Sequence, residues 1–353
     1  MRTLITFFSL MFFVLISFSS CVSVQPLLIE VKKPADVTLP VDIAKVLIVN
    51  NAAPQPNNSG ITQEYNGIQS KEFPIQWDSV GQNLTFDLTR QLSRTRFFNE
   101  VSLSKTSLRN DGEWLKIEPV PQEIKEEILD TLSFDAILSL DRILFSLEEK
   151  VKKTGKEQSD YASHFVDLRV HGKADGNMYI YNKEEPVYTF SVSDSLHIKD
   201  TFYEDSVSVT QNIPESSINE LMIILAQKIV QRIVPSWVTQ ERFLYTGHDA
   251  RLREAYSYVK NKNWEQAQKI LLTEYDKSNS FSDKGKLANN IAVCCEMSDD
   301  VNSALLWAAI AQENFTKEKN TDSREKRRID NYVKELNQRL KDLFLLNEQE
   351  NPD

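Results

Sequence analysis

The stretch 165–181, FVDLRVHGKADGNMYIY, decides the fold. Val166, Leu168, Val170, Ala174, Met178 and Ile180 fall on one face of an extended chain, together with Gly172 and Gly176. Asp167, Arg169, His171, Lys173, Asp175 and Asn177 fall on the other. Alternation of this length predicts an antiparallel strand with one face in water. The two glycines predict bends or bulges. The segment 182–186, NKEEP, predicts a turn. After it Tyr188, Phe190, Val192, Leu196 and Ile198 alternate again, so the two runs form a long hairpin.

On its C-terminal side, Pro214 opens a helix with Ile218, Leu221, Met222, Leu225, Ile229 and Ile233 on one stripe, and Pro235 ends it. On its N-terminal side, 135–147 (DAILSLDRILFSL) and 44–50 (AKVLIVN) are apolar runs that predict strands, the second of them central and buried. Residues 51–67 are rich in Asn, Pro and Gly and predict a loop. Asp78 or Ser79 would cap a helix carrying Val80, Leu84, Leu88 and Leu92. A strand at 97–103 and a helix at 121–132 complete the order β-α-β-α-β-β-β-α. That order predicts an α+β domain over 43–234, with helices packed on a mixed sheet.

AKVLIVN, LTRQLSRTRFFNEV, SFDAILSLDRI, the hairpin and the last helix together resemble the sheet domain of certain bacterial envelope lipoproteins. These include the curli secretion-channel lipoproteins and the outer-membrane activators of peptidoglycan synthases. The resemblance is one of order and pattern, with no signature motif.

The C-terminal third, 248–346, predicts an all-α helical repeat. RLREAYSYVKNKNWEQAQKILL and KLANNIAVCCEMSDDVNSALLWAAIAQE each resemble a tetratricopeptide helix pair, with Ala255, Ala267, Ala304, Ala308 and Ala311 at the close-packed positions. Ala267 and Ala304 stand 37 residues apart against a family period of 34, and a longer loop at 276–282 would account for the difference. A helix over 323–345 has the polar outer face of a cap. A hinge (235–247) containing Trp237, Arg242, Phe243 and Tyr245 precedes the array, and a disordered tail (347–353) follows it. The resemblance places peptide-groove positions at Leu252, Tyr256, Val259, Asn289, Asn290 and Val293. Asn290 stands where related arrays hold a ligand backbone. The same face could instead pack on the sheet domain or on the last helix.

At the N-terminus, 4–18 is an apolar run preceded by Arg2 and followed by Ser19, Ser20 and Cys21. Fifteen residues at about 1.5 Å each fall short of a hydrocarbon core about 30 Å thick. This predicts a signal peptide (1–20) rather than a spanning helix. The small residues before a lone cysteine resemble a bacterial lipobox. The resemblance implies cleavage before Cys21, acylation of that residue, and a membrane partnership through the lipid. An extended tether (21–42) without an acidic cluster fits retention at the outer membrane, on the periplasmic face.

Lys plus Arg number 41 and Asp plus Glu 51, a formal net charge of −10, which argues against non-specific nucleic-acid binding. Nine glycines leave no phosphate-cradling loop, and three cysteines make no disulfide scaffold. His164 and His171, seven apart in a strand, face opposite ways and cannot share a metal. Cys294 and Cys295 are adjacent in a helix and read as buried thiols. No cofactor is implied and no pair of carboxylates stands out for acid–base work. The expectation is a non-enzymatic protein-interaction scaffold in an envelope complex, with a partner protein of unknown identity. The alternatives are a regulator of cell-wall synthesis, a secretion-channel subunit, or an enzyme of unknown type.

Overall fold

The computed structural model describes residues 23–353 apart from 57–58, 70–76, 110–111, 118, 155–162, 182, 206–207, 248–249, 319–321 and 351–353. The leader and Cys21 lie outside the described residues. The chain divides into two compact units. One is a mixed sheet with helices, and the other is built on the helices that follow that sheet in sequence, as expected, with a two-stranded ribbon added.

The sheet unit spans Pro34–Ser236. Strand β2 (Lys45–Asn50) carries four consecutive buried residues because both its faces are covered. It pairs in parallel with β5 (Glu100–Leu103) on one edge and with β6 (Ala136–Thr154) on the other. Strand β6 outruns β2. Its second half pairs in parallel with β3 (Ile61–Tyr65), which turns back into the short β4 (Ile68–Gln69). Its opposite edge pairs along its length with β7 (Ser163–Ile180), which pairs in turn with β8 (Tyr188–Phe202), both antiparallel. The segment expected to be a loop at 51–67 therefore contains β3. The Asn, Pro and Gly that flank it hid its alternating Ile61, Gln63 and Tyr65.

Helices α1 (Trp77–Thr95) and α3 (Ile213–Ile233) cover one face of the sheet. Leu84, Leu88, Leu92, Leu221, Leu225 and Ile229 bury there against Val46, Ile48 and the even-numbered apolar residues of β7. Helix α1 starts at Trp77, so Asp78 and Ser79 lie in its first turn. Helix α2 (Gln122–Leu132) and the segment before it cover part of the other face, where Leu47, Val49, Val120, Leu129, Ile137 and Tyr179 form a second, smaller cluster. That cover explains a departure from simple alternation. Strand β7 alternates as far as Lys173, but Asp175, Asn177 and Tyr179, on its polar face, are buried as well.

The register of β6 against β7 shifts between Leu140 and Arg142, so Asp141 is one extra residue. Before it Ala136, Leu138 and Leu140 face the α1–α3 layer; after it Ile143, Phe145 and Leu147 do. The glycines of β7 are not bulges themselves, since that strand keeps unbroken register with β8. Gly172 admits α3: a Cβ there would sit 2.9 Å from Leu221 Cδ2. Gly176 pairs with Leu140, and a Cβ there would run into the Ser139 carbonyl oxygen and the Phe190 ring.

The second unit comprises Met1–Lys33 and Trp237–Asn347. Its helices are α4 (Ala250–Lys260), α5 (Trp264–Lys277), α6 (Phe281–Met297), α7 (Val301–Lys317) and α8 (Ser323–Glu350). Asn263, Ser280 and Asp300 cap α5, α6 and α7 by accepting the backbone N–H three residues on. Ala255, Ala267, Ala304, Ala308 and Ala311 are buried, as close helix approach requires. Gly285 leaves room for the Phe315 ring. The link from α5 to α6 is 278–280, so the extra residues between Ala267 and Ala304 lie in the 17-residue α6 rather than in a loop. Helix α8 runs on to Glu350, where a tail was expected. Two further elements were not foreseen. The expected tether contains β1 (Ser23–Lys33), the expected hinge is β9 (Ser236–Thr246), and the two pair as a ribbon.

Gly176→Ala is expected to destabilise the sheet unit by about 1–3 kcal/mol or more, because the obstructing Ser139 oxygen is backbone and cannot rotate away. The urea midpoint of the sheet transition measures it. An unchanged midpoint would mean that the bulge relaxes freely.

Candidate functional site

Two places bring polar groups together under cover. In the helical unit it is the face of α6, where the repeat resemblance put the groove. Asn290 Nδ2 donates to the Tyr245 carbonyl at 2.8 Å, and Asn290 Oδ1 accepts the Tyr245 N–H at 2.8 Å. Asn289 Nδ2 donates to the Phe243 carbonyl at 2.7 Å. Alternate residues of a strand point their backbone groups at the same edge. Two side-chain amides thus close one edge of β9 while β1 closes the other, and the carboxamide supplies both donor and acceptor as a neighbouring strand would.

Arg242 enters the same groove from β9. Its guanidinium binds Glu296 through Nε at 2.7 Å and Nη2 at 2.9 Å, and Glu335 through Nη1 at 2.6 Å. Glu296 also accepts from Tyr332 Oη at 2.9 Å and from Arg339 Nη1 at 2.7 Å. The Arg242 guanidinium lies 5.0 Å from the centre of the Tyr332 ring. Burial by itself would raise the Glu296 carboxyl. The hydrogen bond and charge of Arg242, aided by Arg339, outweigh it and hold the group below its ordinary value.

The groove is therefore filled by the chain's own strand. Asn289, Asn290 and Val293 are buried beneath or beside it, and Val259 is buried in the helical core. Leu252 and Tyr256 are half-buried against that core, and Lys260 Nζ stands 4.9 Å from the Tyr256 ring centre. Of these six positions, Asn289 borders a small cavity of about 310 Å³ together with Arg242, Phe243, Arg328 and Tyr332. Cys294 and Cys295 are buried, and burial pushes their thiols up to about 12 and about 11.

The second place is in the sheet unit and was not foreseen. On the α2 side of the sheet the bulge turns Asp141 inward. It accepts from Ser139 Oγ at 2.5 Å and from Asn177 Nδ2 at 2.8 Å. Asn51 Nδ2 donates to Ser139 Oγ at 2.7 Å, and Thr189 Oγ1 donates to Asn177 Oδ1 at 2.6 Å. Asn51 Oδ1 in turn accepts the Leu108 N–H at 2.7 Å, fixing the segment that follows β5. Burial pushes the Asp141 carboxyl up to about 6, with the Ser139 and Asn177 bonds pulling the other way. On the opposite face Glu149 is buried with Gln63 Nε2 2.7 Å from its Oε2, and burial pushes it up to about 7. Among the histidines, His164 is buried near Tyr65 Oη at 3.3 Å. His171 pairs with Ser195 and His197 with Asp167 on the solvated face.

Where β2 and β5 end, a cavity of about 760 Å³ opens beside the first turns of α1. Carboxyl ends of parallel strands are where open α/β sheets place ligands. Its walls are 52–55 after β2, 80–83 on α1 and 103–107 after β5, with Ile143 and Phe145 of β6 at its base. Asn50 projects into it over Gly81, where a Cβ would come 2.7 Å from Asn50 Nδ2. No motif marks this crevice. Its residues come from four separated stretches, three of ordinary mixed sequence and the apolar strand β6 at its base.

Two outcomes follow. Glu296→Ala leaves Arg242 buried without its bidentate partner and is expected to cost the helical unit about 3–5 kcal/mol, measured by urea with helical circular dichroism. Combining Arg242→Met with Glu296→Leu should recover at least half of that loss. No recovery would mean that the cluster does more than fill the groove. Asp141 and Glu149 have folded values above their unfolded ones, about 6 against 3.8 and about 7 against 4.5. Their contribution is present below about pH 4 and is lost as pH rises through 6 to 7. Asp141→Asn and Glu149→Gln should each flatten the fall in sheet stability between pH 4.5 and 7.5, by about 2–3 kcal/mol. Unaltered pH profiles would contradict that account.

Residues 43–245 match the family described as a domain of unknown function (DUF8603), and residues 253–338 match a second domain of unknown function (DUF6340). No protein of curated function matches. Among solved structures, the PelC dodecamer from Paraburkholderia phytofirmans aligns at 10% identity and a TM-score of 0.22, over 59% of this chain and 98% of that one. A homolog of the neuraminyllactose-binding hemagglutinin from Helicobacter pylori aligns at 14% identity and a TM-score of 0.27, over 55% of this chain and 87% of that one. At those TM-scores neither likeness carries an argument. The first family match spans more than half of the sequence, and the chain belongs to the DUF8603 family.

Proposed function

We propose that this protein is a lipoprotein anchored in the outer membrane through Cys21, facing the periplasm, and that it acts there as a non-enzymatic scaffold for an envelope complex. The observation that carries this reading is the distance from Cys21 to folded structure. One residue separates it from β1, and β1 pairs with the strand that fills the helical groove. An acyl anchor on Cys21 would hold the helical unit at the bilayer without slack. The apolar leader and the small residues before Cys21 support the anchor itself. Several acyl chains hold far more firmly than one, at about 0.8 kcal/mol per buried CH₂. Asn289 and Asn290 are the seat of the chain's own strand, so a partner protein docks elsewhere.

The test is metabolic labelling with a clickable palmitate analogue, together with mass analysis of the mature N-terminus. The expected result is label on the wild-type chain and none on Cys21→Ala, with the variant moving from the membrane to the soluble fraction. A mature chain that starts elsewhere, or that stays membrane-bound without Cys21, overturns the proposal.

A further inference from the structure

We infer that the crevice at the carboxyl ends of β2 and β5 is a binding site for a short oligosaccharide. This rests on the sheet unit alone and stands or falls independently of the lipid anchor. The volume, about 760 Å³, lies within the range of about 300–1,000 Å³ that ligand pockets occupy. The chemistry of its walls selects the ligand class.

Some of the polar lining is already spent inside the protein. Gln55 donates through Nε2 to the Phe145 carbonyl at 2.9 Å and accepts the Phe145 N–H through Oε1 at 2.8 Å. Thr85 donates to the Gly81 carbonyl at 2.9 Å. The Ser104 and Ser107 hydroxyls are spent as well, on the Thr106 carbonyl and on Asn51 Oδ1, and the uncommitted groups are carboxamides. Gln82 and Asn83 have exposed carboxamides with no hydrogen bond among the described residues, and Asn50 has committed its Oδ1 to the Ala52 N–H but not its Nδ2. Each free carboxamide offers a donor and an acceptor side by side. Vicinal hydroxyls, which both donate and accept, are the complementary ligand surface. The only charge on the described lining is Lys105, which suits a neutral or weakly acidic sugar better than a cation.

The apolar part of the wall fits the same ligand. Phe86 stands on the third turn of α1, 60% exposed, and lines the cavity with Leu103 opposite it at the end of β5. A ring left in water beside hydrogen-bonding amides matches a pyranose, which carries C–H groups on its faces and hydroxyls around its edge. Gly81 points the same way. A glycine inside a helix costs about 1 kcal/mol relative to alanine, and here the vacated space holds the Asn50 carboxamide at the cavity wall.

The experiment uses the full chain purified in detergent, applied to an array of neutral and acidic oligosaccharides, followed by calorimetric titration of the best-retained trisaccharide. Saturable one-to-one binding is expected. Phe86→Ala and Gln82→Ala should each weaken it at least tenfold with unchanged circular dichroism. Leu306→Ala, which removes an exposed side chain of the helical unit, should leave it as in the wild type. Retention of no glycan, equal affinity in the two crevice variants, or Lys105-dependent binding of inorganic phosphate without any saccharide would overturn the assignment.

Discussion

One extra residue, Asp141, decides which side chains of the sheet unit meet which layer. Without it the apolar residues of β6 beyond Leu140 would turn away from α1 and α3. With it both halves of a 19-residue strand serve the same core, and β6 can pair with β2 along its first half and with β3 along its second. The kink has a cost. It breaks the ladder and turns a carboxyl group inward. Ser139, Asn177 and Asn51 meet that cost with hydrogen bonds, and Gly176 meets it by presenting no side chain to the displaced backbone. The same Asn51 holds the segment after β5 and so helps to shape the crevice wall. The buried acid is a consequence of the bulge, and Asn51 ties both to the segment after β5.

A different constraint rules the helical unit. A strand laid among helices has backbone edges that no helix backbone can satisfy. Strand β9 is accommodated because α6 presents two asparagine amides where a strand would stand, and because β1 returns to cover the remaining edge. The buried Arg242 then becomes a lock. A guanidinium in that position is tolerable only with Glu296 and Tyr332 in place, so the groove and its occupant specify each other.

These two constraints also explain what could be read from the sequence. The hairpin and the helices of both units were legible because their apolar residues repeat with a period of two or near 3.6 over long stretches, as Val166 to Ile180 and Leu84 to Leu92 do. The bulge was not, because a one-residue slip inside the almost continuously apolar AILSLDRILFSL leaves no break in the pattern. In the sequence β9 has the look of a hinge because its inward face carries Gln240 and Arg242, and the burial of Arg242 depends on partners at 296 and 332 that no local pattern connects to it. Asn290 was legible as a residue that holds an extended backbone. Its ligand was not, since the backbone it holds belongs to the same chain, 45 residues upstream. The crevice was invisible because its walls are assembled from three stretches that only the parallel pairing of β2 and β5 brings together.

The placement of β1 gives the groove a mechanical meaning. With an acyl anchor on Cys21, as proposed, tension from the membrane enters at the start of β1 and passes to β9 through the ribbon. From β9 it reaches α6 through the asparagine amides and the Arg242–Glu296 pair. Load applied along a ribbon is shared by many bonds at once, whereas load applied at a single terminal contact breaks bonds one after another. A free peptide in the same groove would give the unit no such connection. Filling the groove with an internal strand therefore sacrifices a recognition surface and joins the anchor to the helical core, a trade that makes physical sense in a scaffold held at a bilayer and little in a carrier of exchangeable peptides.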